Sequence, residues 1–191
     1  METMVNFNSI DQQFWKGKTV LITGHTGFKG AWLTIWLNLL GAEVYGISKQ
    51  ENLEDSLYFS GQLSTLCTSF FCDIRDHKKL ENIISDINPE IIFHFAAQSL
   101  VRHSYRDPIL TYSTNIMGSV NILEVSRNIS NLKTLLVITT DKVYKNKEWL
   151  YKYRENDELG GIDPYSASKA SLELIVSSYR NSFFDTNSVS I

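Results

Sequence analysis

Thr19-Val20-Leu21-Ile22-Thr23 runs straight into Gly24-His25-Thr26-Gly27-Phe28-Lys29-Gly30, and this junction decides the fold. The first five residues are apolar and β-branched, the composition of a buried parallel strand. Three glycines then form a tight turn. The stretch from Ala31 to Leu40 is long enough for three helical turns and closes at Gly41, a natural residue just past a helix end. A strand, a glycine-rich turn and a helix in this order bring free backbone N–H groups to the positive end of a helix, where a pyrophosphate binds. A tight turn with no ligand is the plainer reading of three glycines; the flanking strand and helix favour nucleotide binding. Gly24, Thr26, Gly27, Phe28 and Gly30 are the candidate phosphate-turn residues. The spacing is G-x-x-G-x-x-G and not G-x-G-x-x-G.

Downstream the pattern alternates strand and helix, which predicts an α/β fold with a doubly wound parallel sheet in the order 3-2-1-4-5. Glu43 to Ile47 reads as strand two, and Ser69 to Cys72, ending at Asp73, as strand three. His77 to Ile87 is a helix that stops at Asn88-Pro89, because the residue before a proline disfavours helix. Ile91 to Phe95 is strand four, opening into Ala96-Ala97-Gln98; Leu110 to Arg127 is helical; Thr134 to Thr139 is strand five. A last helix starts near Pro164 and runs to about Ser182. Residues 147–163, with Trp149, Tyr151, Tyr153 and Gly160-Gly161, form an aromatic, polar loop at the ligand-binding end of the sheet. Asn187 to Ile191 reads as the start of another strand, so the expectation is one dinucleotide-binding domain over 1–191 with a C-terminal part absent.

The chemistry is concentrated in Thr139-Thr140-Asp141-Lys142 and Tyr165-Ser166-Ala167-Ser168-Lys169. Residues four apart share a helix face, so the Lys169 ammonium lies beside the Tyr165 phenol, where it stabilises the phenolate. Tyr165 is thereby suited to take a proton from a sugar hydroxyl while hydride leaves the same carbon. The pair alone is equally consistent with an ordinary amphipathic helix; the glycine turn upstream shifts the balance.

With 191 residues, 43% hydrophobic content and a net charge of −3, the chain has the size and balance of one globular domain and lacks the basic character of a nucleic-acid binder. It has no apolar run of about eighteen residues. Met1 to Gln13 is polar, without the basic start and apolar centre of a signal peptide. Cys67 and Cys72 have no histidines at zinc-site spacing and read as reduced residues of a cytoplasmic protein, with no metal site.

FWKGKTVLITGHTGFKGAWL, CDIRD, HFAAQSLVRHSY, TYSTNIMGSVNILE, TTDKVYKN and DPYSASKASLEL together resemble the extended short-chain dehydrogenase/reductases, with their Rossmann-like cofactor domain. Within these the resemblance is strongest to the CDP-glucose 4,6-dehydratase family. GHTGFKG, AAQSLVRHSY and TTDKVY are the specific elements, and Asp141-Lys142 stands where dTDP-glucose dehydratases carry Asp-Glu. The resemblance implies conversion of CDP-D-glucose to CDP-4-keto-6-deoxy-D-glucose with bound NAD, in surface polysaccharide synthesis such as that of lipopolysaccharide O-antigen. It assigns Tyr165 as base at the 4-hydroxyl, with Thr140 hydrogen-bonding the same oxygen and Lys169 holding the phenolate. Asp141 would protonate the departing 6-hydroxyl, its pKa raised in a closed site. Lys142 takes the place of the C5 base, either as a neutral amine or as a cation beside the enolate.

For the cofactor, the resemblance adds Asp73 and Ile74 at the adenine and Ala96, Ala97 and Gln98 beside the ribose and nicotinamide, together with Tyr165 and Lys169. Asn115 would support the site from its helix. Arg102, Ser104 and Tyr105 would face the sugar nucleotide, while His94 reads as a core residue. Two departures stand out. Ser48-Lys49 occupies the end of strand two, where an acidic residue usually holds the ribose 2′-hydroxyl of NAD, so the strand itself does not separate NAD from NADP. The second is length, since relatives continue into a C-terminal substrate domain. Expected partners are a small nucleotide sugar and, at full length, further copies of the chain, with neither nucleic acid nor membrane. The competing readings are a related dehydratase or epimerase, and an NAD-binding module without turnover.

Overall fold

Side chains of a strand alternate between its two faces, and the most buried strand shows both faces covered. The computed structural model describes residues 11–50, 54–184 and 189–191. In β1 (Thr19–Thr23), Val20, Leu21, Ile22 and Thr23 are all fully buried. Leu21 joins Ile47, Ile92 and Leu135 in a core closed by Leu80 and Ile84 of one helix and Ile122 and Leu123 of another. Val20 and Ile22 point the other way, into a second core with Val44, Ile91 and Leu37. A strand buried this way on both faces belongs in the middle of a sheet with helices on each side.

That is its position. β2 (Glu43–Ser48), β3 (Thr68–Phe71), β4 (Ile91–His94) and β5 (Thr134–Val137) complete a five-stranded sheet in the order β3-β2-β1-β4-β5. Every pairing is parallel, with Val20 opposite both Val44 and Ile91. The expected strand order is therefore the observed one. The order reverses beside β1, and ligands of such sheets bind beyond the carboxyl ends of the strands at that reversal.

The helices are α1 (Gln12–Trp15), α2 (Phe28–Leu39), α3 (Leu57–Ser60), α4 (His77–Ile87), α5 (Val101–Arg106), α6 (Pro108–Tyr112), α7 (Ser119–Ser126) and α8 (Pro164–Phe183). Two differ from expectation in instructive ways. α2 starts at Phe28 and not Ala31, because Gly27 takes an extended N-cap conformation (φ −74°, ψ 165°) and Phe28 to Gly30 become the first helical turn. The helix expected from Leu110 to Arg127 begins at Pro108, capped by the Asp107 carboxylate on the Leu110 amide at 2.8 Å, and contains a π-helical turn over Ser113–Gly118. π-turns gather at functional sites, and this one carries Asn115.

The aromatic loop before α8 is tied down by its own residues. Tyr144 bridges Leu159 in antiparallel fashion, and the Tyr144 and Tyr153 rings stack with centroids 5.3 Å apart. The strand expected near the end of the chain falls partly on residues outside the described set. Within that set, Ser190 lies parallel to Thr134, donating to Lys133 O and accepting from the Leu135 amide, each at 2.9 Å. Among the described residues no helix is long and apolar enough to cross a membrane, and no group of three acidic, His or Cys side chains is placed to hold a metal. Cys67 and Cys72 are both free thiols.

Candidate functional site

A cavity of about 460 Å³ opens at the carboxyl ends of the strands, within the size range of small-molecule sites. Its floor is the glycine turn. Gly24 has φ +77°, and a Cβ there would lie 2.9 Å from the Ala96 amide nitrogen. No side chain caps the start of α2, so the first amides of that helix, at the cavity wall, lack intrahelical partners. Free amides at a positive helix end fit a pyrophosphate. Gly24, Thr26, Gly27, Phe28 and Gly30 all line the cavity, as does Lys29.

At the β2–β3 edge, Ser48, Lys49, Cys72, Asp73 and Ile74 contribute the next wall. Arg75 grips the Asp73 carboxylate at 2.7 Å, and its hydrogen bonds hold that carboxyl below its ordinary pKa against partial burial; Lys49 adds to the same effect. Ser48 is more than a spacer. Its hydroxyl accepts from the Thr26 amide at 3.3 Å and bonds His25 Nδ1 at 3.0 Å, while His25 Nε2 reaches Ser69 Oγ at 2.9 Å. His25 therefore fastens the phosphate turn to both neighbouring strands. The GHTG segment contained this residue, but its role depends on Ser69, far away in sequence.

Tyr165 and Lys169 line the same cavity, together with Ile138 and Thr139. Lys169 is only 6% exposed and donates from Nζ to Ile138 O at 2.9 Å. Burial pulls its pKa down to about 8, with the Glu173 carboxylate opposing. Behind them Asn115 is fully buried: its Oδ1 accepts from the Gln98 amide at 2.8 Å, and its Nδ2 donates to Gln98 O at 3.0 Å and Ser168 Oγ at 2.9 Å. One amide thus ties the Ala96-Ala97-Gln98 loop to the helix of Tyr165. Ala96 and Ala97 line the cavity; Gln98 turns its side chain to Thr111 Oγ1 at 2.9 Å.

The remaining predicted catalytic residues lie elsewhere. Thr140 caps the short turn Asp141–Val143, its hydroxyl donating to Asp141 Oδ1 at 3.1 Å. Asp141 and Lys142 line a second cavity of about 620 Å³ with Tyr153, Asp163 and Ser166, beside α8 but apart from Tyr165. The enclosure expected around Asp141 is not formed by the described residues: Asp141 and Lys142 are both exposed. Asp163, the α8 cap, is partly buried, which raises its pKa, but the Ser166 hydroxyl and amide and the Lys142 charge hold it below its ordinary value. Of the expected substrate contacts, Arg102 and Tyr105 are exposed on α5, while Ser104 is buried and donates to Val101 O at 2.7 Å.

His94 is a core residue, held between Thr23 Oγ1 at 2.6 Å and Ser119 Oγ at 2.8 Å. Burial, with the Lys169 charge adding, lowers its pKa to about 3, and burial lowers that of His25 to about 4. Both are depressed below the ordinary 6.5, so the unfolded chain binds more protons in the window between. Stability is then full above about pH 6.5 and is lost as pH falls toward 4, at up to about 1.4 kcal/mol per unit for each group. The urea midpoint should fall measurably between pH 6.5 and 5, and His94→Asn should flatten that slope. A midpoint constant across this range would contradict neutral burial.

The profile of a family described as GDP-mannose 4,6 dehydratase matches residues 21–189. A CDP-glucose 4,6-dehydratase of Salmonella typhimurium is 52% identical over 176 residues, covering 92% of this chain and 49% of that protein. The crystal structure of a UDP-glucose 4-epimerase from Thermotoga maritima with UDP-glucose superposes with a TM-score of 0.76 at 28% identity, covering 86% of this chain and 52% of that one. A UDP-glucose 4-epimerase of Thermus thermophilus, in complex with NAD, gives 0.74 at 27% identity, covering 86% and 51%. The chain spans about half the length of these relatives.

Proposed function

We propose, for a chain that belongs to the GDP-mannose 4,6-dehydratase family, that it is the cofactor-binding and proton-transferring domain of an enzyme dehydrating a CDP-hexose, with CDP-D-glucose as substrate and NAD as cofactor. The observation that carries this reading is that Tyr165 and Lys169 line one cavity with the uncapped start of α2. The 52% identical CDP-glucose 4,6-dehydratase supports the choice of substrate, and the NAD complex of the Thermus relative supports the choice of cofactor.

The residues present fit a dinucleotide. Gly27 lines the cavity with no side chain, and a Cβ there would sit 3.3 Å from Gly24 O. The amides of Phe28 and Gly30 would hold the pyrophosphate, Asp73 and Ile74 the adenine side, and Tyr165 and Lys169 the nicotinamide ribose. NAD, when bound, supplies a reversible hydride store, accepting hydride from C4 of the sugar and returning it to C6.

The proton work falls to the chain. Tyr165, one helical turn from the Lys169 cation, takes the proton of the 4-hydroxyl. Thr140 would hydrogen-bond the same oxygen. With C4 a ketone, the C5 proton is acidic; its removal and the departure of the 6-hydroxyl, protonated by Asp141, eliminate water. Once hydride is back on C6, the enolate takes a proton at C5 to give the 4-keto-6-deoxy sugar. Lys142 sits beside Asp141 as the group at C5, by removing that proton or by stabilising the enolate charge.

The test compares two proteins incubated with CDP-glucose and NAD, reading the 4-keto product by its absorbance in alkali: the 191-residue chain, and a chimaera carrying the C-terminal half of the Salmonella relative. Turnover by the chimaera and little or none by the chain is the expected result, since Asp141 and Lys142 are exposed in this chain. An inactive chimaera that folds and binds NAD would favour the second reading, a dinucleotide-binding module without turnover. Titration of the chain with NAD and NADP separates the cofactors that Ser48 and Lys49 leave open.

A further inference from the structure

Tyr165, Lys169 and Glu173 are spaced four apart along α8 and therefore share one face of it. The first two line the cofactor cavity. Glu173 is half-buried and accepts a short hydrogen bond from the Thr139 hydroxyl, at the residue that follows Ile138. Ile138 in turn receives the Lys169 ammonium on its carbonyl at 2.9 Å. The segment leaving β5 is thus held to α8 by two adjacent contacts, one from a cation and one to an anion.

A lysine 6% exposed needs a charge partner, since a carbonyl dipole alone compensates little of the solvation it has lost. The charged and titratable groups around Lys169 are few. His94 on β4 is neutral at working pH, because its pKa is about 3. Tyr165 precedes it by one turn. Asp73, Lys29 and Lys49 line the same cavity, and Asp73 is committed to Arg75 at 2.7 Å. Glu173 is the carboxylate one turn along the same helix face.

We propose that Glu173 is a positioning residue of this site: anchored by Thr139, its carboxylate is the counter-charge that keeps the buried Lys169 side chain cationic and so available to Tyr165 and the cofactor. The inference rests on the reading of Tyr165 and Lys169 as the proton-transferring pair. Glu173 does not line the cofactor cavity; it acts through Lys169. Thr139 acquires a role distinct from that of Thr140, because its hydroxyl fixes the carboxylate and leaves the reacting oxygen to its neighbour. Burial draws the pKa of Lys169 down to about 8, close enough to neutrality that losing the counter-charge would leave much of the side chain uncharged at working pH.

Glu173→Gln tests this, since the glutamine carbonyl still accepts from Thr139 while the charge is gone. The 191-residue chain is labelled with lysine carrying 13C at Cε, the Lys169 resonance is assigned by its absence in Lys169→Arg, and its pH titration is followed without cofactor. The Lys169 midpoint should fall by about one pH unit in Glu173→Gln, with unchanged thermal unfolding. The alkaline limb of NAD binding should move down with it. Thr139→Val, which keeps the charge but releases its anchor, should shift the midpoint the same way by less. Glu173→Asp should restore part of the loss. An unmoved Lys169 midpoint in folded Glu173→Gln overturns the proposal; should that variant not fold, an unmoved midpoint in Thr139→Val does so. Neither result depends on turnover, so failure here is distinguishable from failure of the dehydratase reading, which is judged by Tyr165→Phe.

Discussion

Tyr165→Phe in the chimaera described above should lower kcat by 10³-fold or more while leaving NAD affinity within about threefold. The ring is kept, so the wall of the cavity keeps its shape; only the hydroxyl that exchanges the proton is removed. General acid–base catalysis contributes roughly 10²–10⁴-fold, and no other described group on this wall can replace the phenol: Lys169 is bound to Ile138 O and Thr139 to Glu173. The residual rate should also lose the pH dependence set by the Tyr165–Lys169 pair, in which burial draws the lysine pKa down to about 8. Single-turnover measurement of 4-keto product, with NAD affinity measured in parallel, reads both effects. Turnover within tenfold of the parent would remove Tyr165 from the proton-transfer step.

The division of the site between two cavities gives this variant its meaning. Tyr165 and Lys169 sit with the glycine turn, while Asp141 and Lys142 sit across the start of α8 with Asp163 and Ser166. In the proposed reaction, oxidation at C4 would fall to the first group and loss of water across C5 and C6 to the second. C4 and C5 are neighbours in the sugar ring and C6 is the carbon attached to C5, so a productive complex requires the two groups to meet around that part of the sugar. Tyr165→Phe strikes the first stage and should abolish every later one. Substitution at Asp141 should instead slow elimination after the 4-ketone has formed.

The strand order and the position of the cavity were legible because they rest on local signals: apolar runs, Gly24 and Gly41 at their turns, Pro89 after α4 and Pro164 opening α8. α2 starts three residues before the Ala31 that composition predicts. Phe28-Lys29-Gly30 looks like turn by composition, but Gly27 alone supplies the extended cap. The π-turn at Ser113–Gly118 had no local signal, since its apolar spacing is that of an ordinary helix. The shared helix face of Tyr165 and Lys169 was legible from their spacing. Glu173 lies one more turn along the same face, but its meaning comes from Thr139, 34 residues earlier. The His25 network was hidden for the same reason: Ser48 and Ser69 come to it only when β2 and β3 pair. The exposure of Asp141 and Lys142 is likewise a property of tertiary structure, and no spacing rule carried it.

Gly30→Ala should be the most damaging single-methyl change in the phosphate turn. Alanine ordinarily gains up to about 1 kcal/mol over glycine inside a helix, and Gly30 lies in the first turn of α2 with φ in the normal range. Here the new Cβ would stand 2.3 Å from Gly24 O and 2.9 Å from both Gly24 C and His25 Cα. All three are backbone atoms, so no side-chain rotation relieves the clash; the helix must move off the turn or the turn must open. Overpacking of this kind costs about 1–3 kcal/mol or more, which outweighs the propensity gain. A net loss of about 2 kcal/mol corresponds to a Tm lower by roughly 4–8 °C for a domain of this size. NAD affinity should drop at least tenfold, because the displaced amides are those assigned to the pyrophosphate. Gly27→Ala provides the contrast. Its Cβ would come only to 3.3 Å from Gly24 O in an ordinary backbone conformation, so stability should change by less than about 1 kcal/mol while NAD still binds more weakly through obstruction of the turn. Thermal unfolding and NAD titration of the two variants side by side would separate close helix–turn packing from ligand access. Equal stability losses in both would show that the glycines act only through chain flexibility.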